Sequence, residues 1–273
     1  MSASSDVLIY DSGVGGLSVS QEISQRLPFL KQLYVSDNAA FPYGIKEHDW
    51  LIRRVEAVLQ QVLSRSPVKM LVMACNTAST VVLPSLRQKL QIPVVGVVPA
   101  IKPAAQMSRL KKIALIATPA TIKRAYTDEL IANYAHDCHV LKIGSSRLVE
   151  IAEEKLRGHV INKTELQQIL SPLLHDGHAQ VDVAILGCTH FPLLRQEFIE
   201  HVAQDIQWID SGAAIARRVA EILKVDIATG GGKSAKRGSL VMTKPEADIV
   251  ELQSTFRSFG FDSIEILDCS LET

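Results

Sequence analysis

Two cysteines stand where the chain could do chemistry. Cys75 lies in Met73-Ala74-Cys75-Asn76-Thr77 and Cys188 in Leu186-Gly187-Cys188-Thr189-His190, each at the point where an apolar run stops and small polar residues begin. Helix-like sequence follows both, over Ala78–Leu90 and, after Pro192, over Leu193–Val202. A thiol so placed meets unpaired N–H groups and the positive end of a helix, an environment that lowers a cysteine pKa from about 8.5 toward neutrality. Two thiols of similar proton affinity suit one reaction well: one takes a proton from a stereocentre and the other returns a proton to the opposite face. Cys138 and Cys269 carry no polar motif and read as small buried hydrophobes. Without a CxxC pair among the four, neither a disulfide framework nor a zinc ribbon is expected.

The elements that must position these thiols are legible as short apolar runs: Val7–Tyr10, Leu33–Ser36, Met70–Ala74, Val94–Val98, Ile113–Ala117, Val140–Ile143, Val183–Leu186, Ile206–Ile209, Leu240–Met242 and Ile264–Leu267. Amphipathic stretches such as His48–Leu63 and Lys123–Tyr134 lie between most of them. Continuous apolar runs alternating with helical patterns predict an α/β fold, doubly wound, with parallel sheets covered on both faces. In such sheets ligands bind beyond the strand ends, where loops and helix N-termini converge. Four strand ends therefore matter most: Asp11-Ser12-Gly13-Val14-Gly15-Gly16, Cys75-Asn76-Thr77, Thr118-Pro119-Ala120-Thr121 and Gly187-Cys188-Thr189-His190.

Laid side by side, these motifs form a weak internal repeat. Ser12 and Cys75 are 63 positions apart, Thr118 and Cys188 are 70 apart, and each half places one cysteine at the matching strand end. We expect two pseudosymmetric α/β domains, residues 1–99 with 211–273 and residues 100–210, the Pro-rich Val98–Pro103 and the stretch Ile209–Gly212 forming the crossings.

Composition narrows the partners. Twenty-nine Lys and Arg balance 29 Asp and Glu, so no long-range field draws the chain to nucleic acid or an anionic membrane. A small-molecule ligand is the expectation. The first residues lack a basic, apolar leader pattern and no window is apolar for the ~18 residues of a membrane span, so a cytoplasmic protein is expected. Gly230-Gly231-Gly232-Lys233-Ser234 lacks the opening glycine and following helix of a phosphate loop and reads as a basic surface loop. His175 and His178 have no evident third ligand and read as a solvated loop. The DSGVGG stretch by itself reads as a tight strand-to-helix turn.

Taken in order, DSGVGGLSV, SDNAAFPYG, ACNTAS and LGCTHFPLL resemble the motifs of glutamate racemases, in the cofactor-independent aspartate/glutamate racemase superfamily. The resemblance runs from about Val7 to about Val219. It implies two pseudosymmetric α/β domains with the active site in the cleft between them. The implied activity is interconversion of L- and D-glutamate without pyridoxal phosphate or metal, supplying D-glutamate for peptidoglycan. Carried over by position, Cys75 matches the thiol that deprotonates D-glutamate and Cys188 the one that deprotonates L-glutamate. Asp11 and Ser12, Tyr43 and Gly44, Asn76 and Thr77, and Thr189 and His190 match substrate contacts, with Thr121 a further one. Asp11 and His190 also match assisting groups, as does a glutamate best aligned with Glu153, with Glu150 and Glu154 close by. Among partners, a homodimer and a regulatory cell-wall precursor stay open, and no nucleic acid or membrane is expected to bind directly. Rival readings are a racemase of another acidic amino acid, such as aspartate, and a ligand-binding relative without turnover.

Overall fold

The computed structural model of the protein describes residues 5–173, 181–202, 205–227, 237–247 and 249–269. The His175 and His178 pair and the Gly230–Ser234 loop lie outside the described residues. Contacts divide the chain into two units, the crossings falling between Val97 and Val98 and between Ser211 and Gly212.

In the first unit, strands β1 (Val7–Asp11), β2 (Gln32–Ser36), β3 (Met70–Met73), β4 (Val94–Gly96), β9 (Gly238–Met242) and β10 (Phe261–Ile266) form one parallel sheet in the order β10-β9-β2-β1-β3-β4. β1 and β2 are buried at every position, because a central parallel strand has both faces covered. Leu8, Tyr10, Leu33, Val35, Leu71 and Met73 point to one face and pack with helices α2 (His48–Arg65) and α3 (Asn76–Lys89). The alternate residues Val7, Ile9, Tyr34 and Val72 are as deeply buried. Their face needs cover too, and helices α1 (Leu17–Arg26) and α10 (Gly212–Leu223), packed on each other, supply it. The edge strand β10 is mostly exposed.

The second unit is built on strands β5 (Lys112–Ala117), β6 (His139–Gly144), β7 (Val183–Leu186) and β8 (Gln207–Ile209), parallel throughout and ordered β6-β5-β7-β8. Ile113, Leu115, Val183 and Ile185 pack against α4 (Ile101–Met107) and the inner side of α6 (Ala125–Tyr134). Helix α7 (Arg147–Leu156) buries Leu148, Val149, Ile151, Ala152 and Glu153. α8 (Lys163–Leu170) and α9 (Arg195–His201) complete the unit, with a short α5 (Pro119–Ile122) following β5.

All ten apolar runs are strands. Within each sheet the first strand is central, the second lies to one side, and the third and fourth lie to the other. The repeat seen in the sequence is therefore a repeat of topology, and β9 and β10 are additions to the first sheet. The helix expected over Lys123–Tyr134 begins two residues later, at Ala125, because Arg124 is extended (φ −77°, ψ 134°) and serves as the N-cap of α6.

Candidate active site

The first unit gathers three strand ends. Asp11 closes β1 fully buried, its Oδ1 accepting from the Gly13 N–H at 2.9 Å and from the Ser12 hydroxyl at 3.3 Å. None of the glycines of this turn has a positive φ, and close approach is what Gly16 serves. A Cβ on Gly16 would lie 3.0 Å from the Cβ atoms of Asp11 and Ala74, which brings the start of α1 against the ends of β1 and β3.

Cys75 follows β3 in extended conformation (φ −121°, ψ 119°) as the N-cap of α3, with the Ser79 N–H on its carbonyl at 2.8 Å. Asn76 and Thr77 open that helix and are buried. Asn76 Oδ1 is shielded from solvent and has no hydrogen-bond partner. A buried acceptor left so costs about 1–3 kcal/mol unless a donor reaches it.

Tyr43 and Gly44 lie in a short 3₁₀ turn (Tyr43–Ile45) packed against α3. The Tyr43 side chain points inward, its hydroxyl donating to Asp37 Oδ2 at 2.6 Å and lying 2.9 Å from the Tyr10 hydroxyl. Burial pushes both phenols well above their usual pKa, so both stay protonated. Gly44 is exposed, as is Ile45, so the backbone of Gly44 is open to a ligand.

In the second unit, Thr118 caps α5: its Oγ1 accepts from the Thr121 N–H at 3.3 Å and lies 3.1 Å from Thr121 Oγ1. At the end of β7 Gly187 is tightly enclosed, and a Cβ there would lie 2.8 Å from Leu115 Cδ1. Next comes Cys188, partly exposed, then buried Thr189 and His190. His190 Nδ1 is 3.8 Å from Cys188 Sγ, and its Nε2 is 2.8 Å from Glu153 Oε1. Arg157 Nη1 donates to Glu153 Oε2 at 2.6 Å and to the Glu153 carbonyl at 3.0 Å. Burial by itself would favour neutral His190. The hydrogen bonds and negative charges of Cys188 and Glu153 outweigh it and raise the imidazole pKa well above its ordinary value.

Both thiols were expected at the start of an α-helix, and only Cys75 is. Pro192 makes Phe191–Leu194 a 3₁₀ turn, so the next α-helix begins at Arg195. His190 and Glu153, not a helix terminus, provide the polar surroundings of Cys188. Cys269 is buried as expected, whereas Cys138 is only partly so, and burial raises the thiol pKa of each. Among the described residues no three His, Cys, Asp or Glu side chains converge to hold a metal ion. No described helix is long and apolar enough to cross a membrane.

The profile of the family described as Asp/Glu/Hydantoin racemase matches residues 15–219. The chain is 48% identical to the glutamate racemase of Vibrio vulnificus over 261 residues, 96% of each chain. The belonging is decided by these two matches. This protein is a member of the Asp/Glu/hydantoin racemase family. Against the racemase of Aliivibrio fischeri it is 49% identical over 96% of its own length and 97% of the relative's. The crystal structure of Escherichia coli glutamate racemase in complex with L-glutamate and the activator UDP-MurNAc-ala superposes with a TM-score of 0.89 at 44% identity, covering 97% of this chain and 98% of that one. A Bacillus anthracis glutamate racemase isoform, RacE1, reaches 0.78 at 27% identity, with 97% of each chain covered.

For this racemase, the glutamate ambiguity of the sequence resolves in geometry. Glu150 and Glu154 both pair with Arg147 on the outer side of α7, and Glu153 alone of the three turns inward to His190. Residues that sequence reading passed over are Arg157, Asp37 and Arg54. A signal for Arg54 exists: it interrupts the apolar stripe Leu51, Val55, Val58 and Leu59 of α2, and an arginine there requires a buried acid.

Proposed function

We infer that the protein is a glutamate racemase, an isomerase that interconverts L- and D-glutamate and supplies D-glutamate for peptidoglycan. One correspondence carries the reading: the third strand of each parallel sheet leads to a cysteine, in a chain about half identical to glutamate racemases along nearly its whole length.

Cys75 removes the Cα proton of D-glutamate and Cys188 that of L-glutamate. In each direction the other thiol delivers a proton to the opposite face, so one proton leaves the substrate and one enters. His190, held protonated, balances the Cys188 thiolate and can restore its proton, with Glu153 orienting the ring. The carbanion formed at Cα needs preorganised donors at the adjacent carboxylate. Ser12, Thr77, Thr121 and Thr189 bring hydroxyls, and Gly44 a backbone N–H. Asp11 and the unpartnered Oδ1 of Asn76 accept from the substrate ammonium.

The Escherichia coli structure contains UDP-MurNAc-ala as activator, and we propose that such a nucleotide-linked cell-wall precursor also regulates this protein. We propose that it acts in the cytoplasm, and sedimentation distinguishes monomer from homodimer.

The deciding experiment incubates the protein with L- or D-glutamate in heavy water and follows optical rotation and deuterium at Cα. Exchange and racemisation of glutamate are expected. Their absence overturns the reading, and faster turnover of aspartate replaces it with an aspartate racemase.

A further inference from the structure

Outside the thiols, a buried polar cluster centres on Asp37, which follows β2 and is fully enclosed. Arg54 of α2 donates to it from Nε at 3.0 Å and from Nη2 at 2.6 Å. The Tyr43 hydroxyl donates at 2.6 Å and the Thr243 hydroxyl at 2.7 Å. Arg54 Nη1 also donates to the carbonyl of Cys269. Next to Asp37, Asn38 clasps the same C-terminal stretch: Oδ1 accepts from the Thr243 and Lys244 N–H groups at 3.0 Å each, and Nδ2 donates to the Lys244 carbonyl at 2.8 Å. The Ala39 N–H completes the clasp by donating to Thr243 Oγ1 at 3.1 Å.

Two features set this cluster apart from ordinary core packing. A desolvated ion pair contributes little net stability compared with well-packed apolar residues, and its best-attested use is to specify one arrangement among several. Here the arrangement specified is the turn that presents Gly44, through the Tyr43 hydroxyl, which bonds directly to the carboxylate alongside a longer contact from the Tyr10 hydroxyl at 3.4 Å. In addition, Thr243 and Cys269 lie beyond residue 219, where the family profile ends.

We propose that Asp37, Arg54 and Thr243 are positioning residues for substrate binding, holding the Tyr43–Ile45 turn so that Gly44 meets glutamate. The proposal rests on the functional reading above, in which this turn contacts substrate. It gives the C-terminal strands a role at the site: the residue directly after β9, Thr243, fixes the far side of Asp37. The three act through Tyr43 on binding, not on the proton transfer itself. Their loss should therefore raise KM and spare kcat.

The test is steady-state racemisation by the full chain and its Thr243→Val, Thr243→Ser and Tyr43→Phe variants, with unfolding midpoints measured in parallel. Thr243→Val and Tyr43→Phe should raise KM for glutamate about tenfold with kcat within about twofold, and Thr243→Ser should restore KM. An unchanged KM in folded Thr243→Val and Tyr43→Phe overturns the proposal, as does a fall in kcat at constant KM, the mark of less active protein. Should Thr243→Val fail to fold, Tyr43→Phe, which removes a single hydroxyl, decides alone. An inactive unsubstituted protein would overturn the functional reading first, and the proposal with it.

Discussion

His190 Nε2 and Glu153 Oε1 lie 2.8 Å apart, both side chains almost wholly buried, although 37 residues separate them in sequence. The carboxylate fixes the ring so that Nδ1 faces Cys188. Replacing Glu153 by Gln keeps the shape and removes the charge. The expected result is a kcat lower by about 10–100-fold with KM nearly unchanged, the scale of an assisted proton transfer. A changed KM at constant kcat would assign Glu153 to binding instead.

The same pair makes stability depend on pH. Folding raises the His190 pKa above its unfolded value near 6.5, so the folded state holds the proton more tightly. That contribution is fully present below pH ~6.5 and is lost as pH rises through the folded pKa. Urea unfolding of the protein and of His190→Asn should therefore show a stability difference that shrinks from pH 6 toward alkaline pH. A difference that grows over this range would reverse the assignment.

Removing either thiol should abolish the two-base reaction. Cys75→Ser and Cys188→Ser are each expected to lower kcat by more than about 10³-fold, since a hydroxyl is a far weaker acid than a thiol. Circular dichroism should remain that of the parent. Full activity in either variant contradicts the mechanism.

Gly187 is packed where a side chain has no room: an added Cβ would lie 2.8 Å from Leu115 Cδ1 and 3.1 Å from the Ile116 carbonyl oxygen. Gly187→Ala should cost about 1–3 kcal/mol of stability by overpacking. It should also lower kcat, because the residue that must shift is bonded to Cys188. Thermal unfolding and activity together check both effects.

Lys224 ends α10 in the left-handed region, φ 53°, with the Val225 N–H bonded to the Ala220 carbonyl and the Lys224 N–H to that of Glu221. This is the helix end at which glycine is favoured. Lys224→Gly should raise stability by roughly 0.5–1 kcal/mol with unchanged racemisation. A lower unfolding midpoint would show that the lysine side chain contributes more than its backbone conformation costs.

Sequence by itself determined the strands, because a parallel strand buried on both faces must be apolar at consecutive positions, as in Val7–Tyr10 and Val183–Leu186. It also determined the strand-end motifs, since chain order places Asp11, Cys75, Thr118 and Cys188 next to those runs. Glu153 was half legible: it lies in the apolar stripe of Val149 and Ala152, while Glu150 and Glu154 do not, yet only packing shows that the stripe meets His190. Tertiary structure alone decided which groups pair. Asp37 meets Arg54 across 17 residues and Thr243 across 206. Helical and strand periodicity act over a few residues, whereas such bonds depend on which strands become neighbours in the sheet.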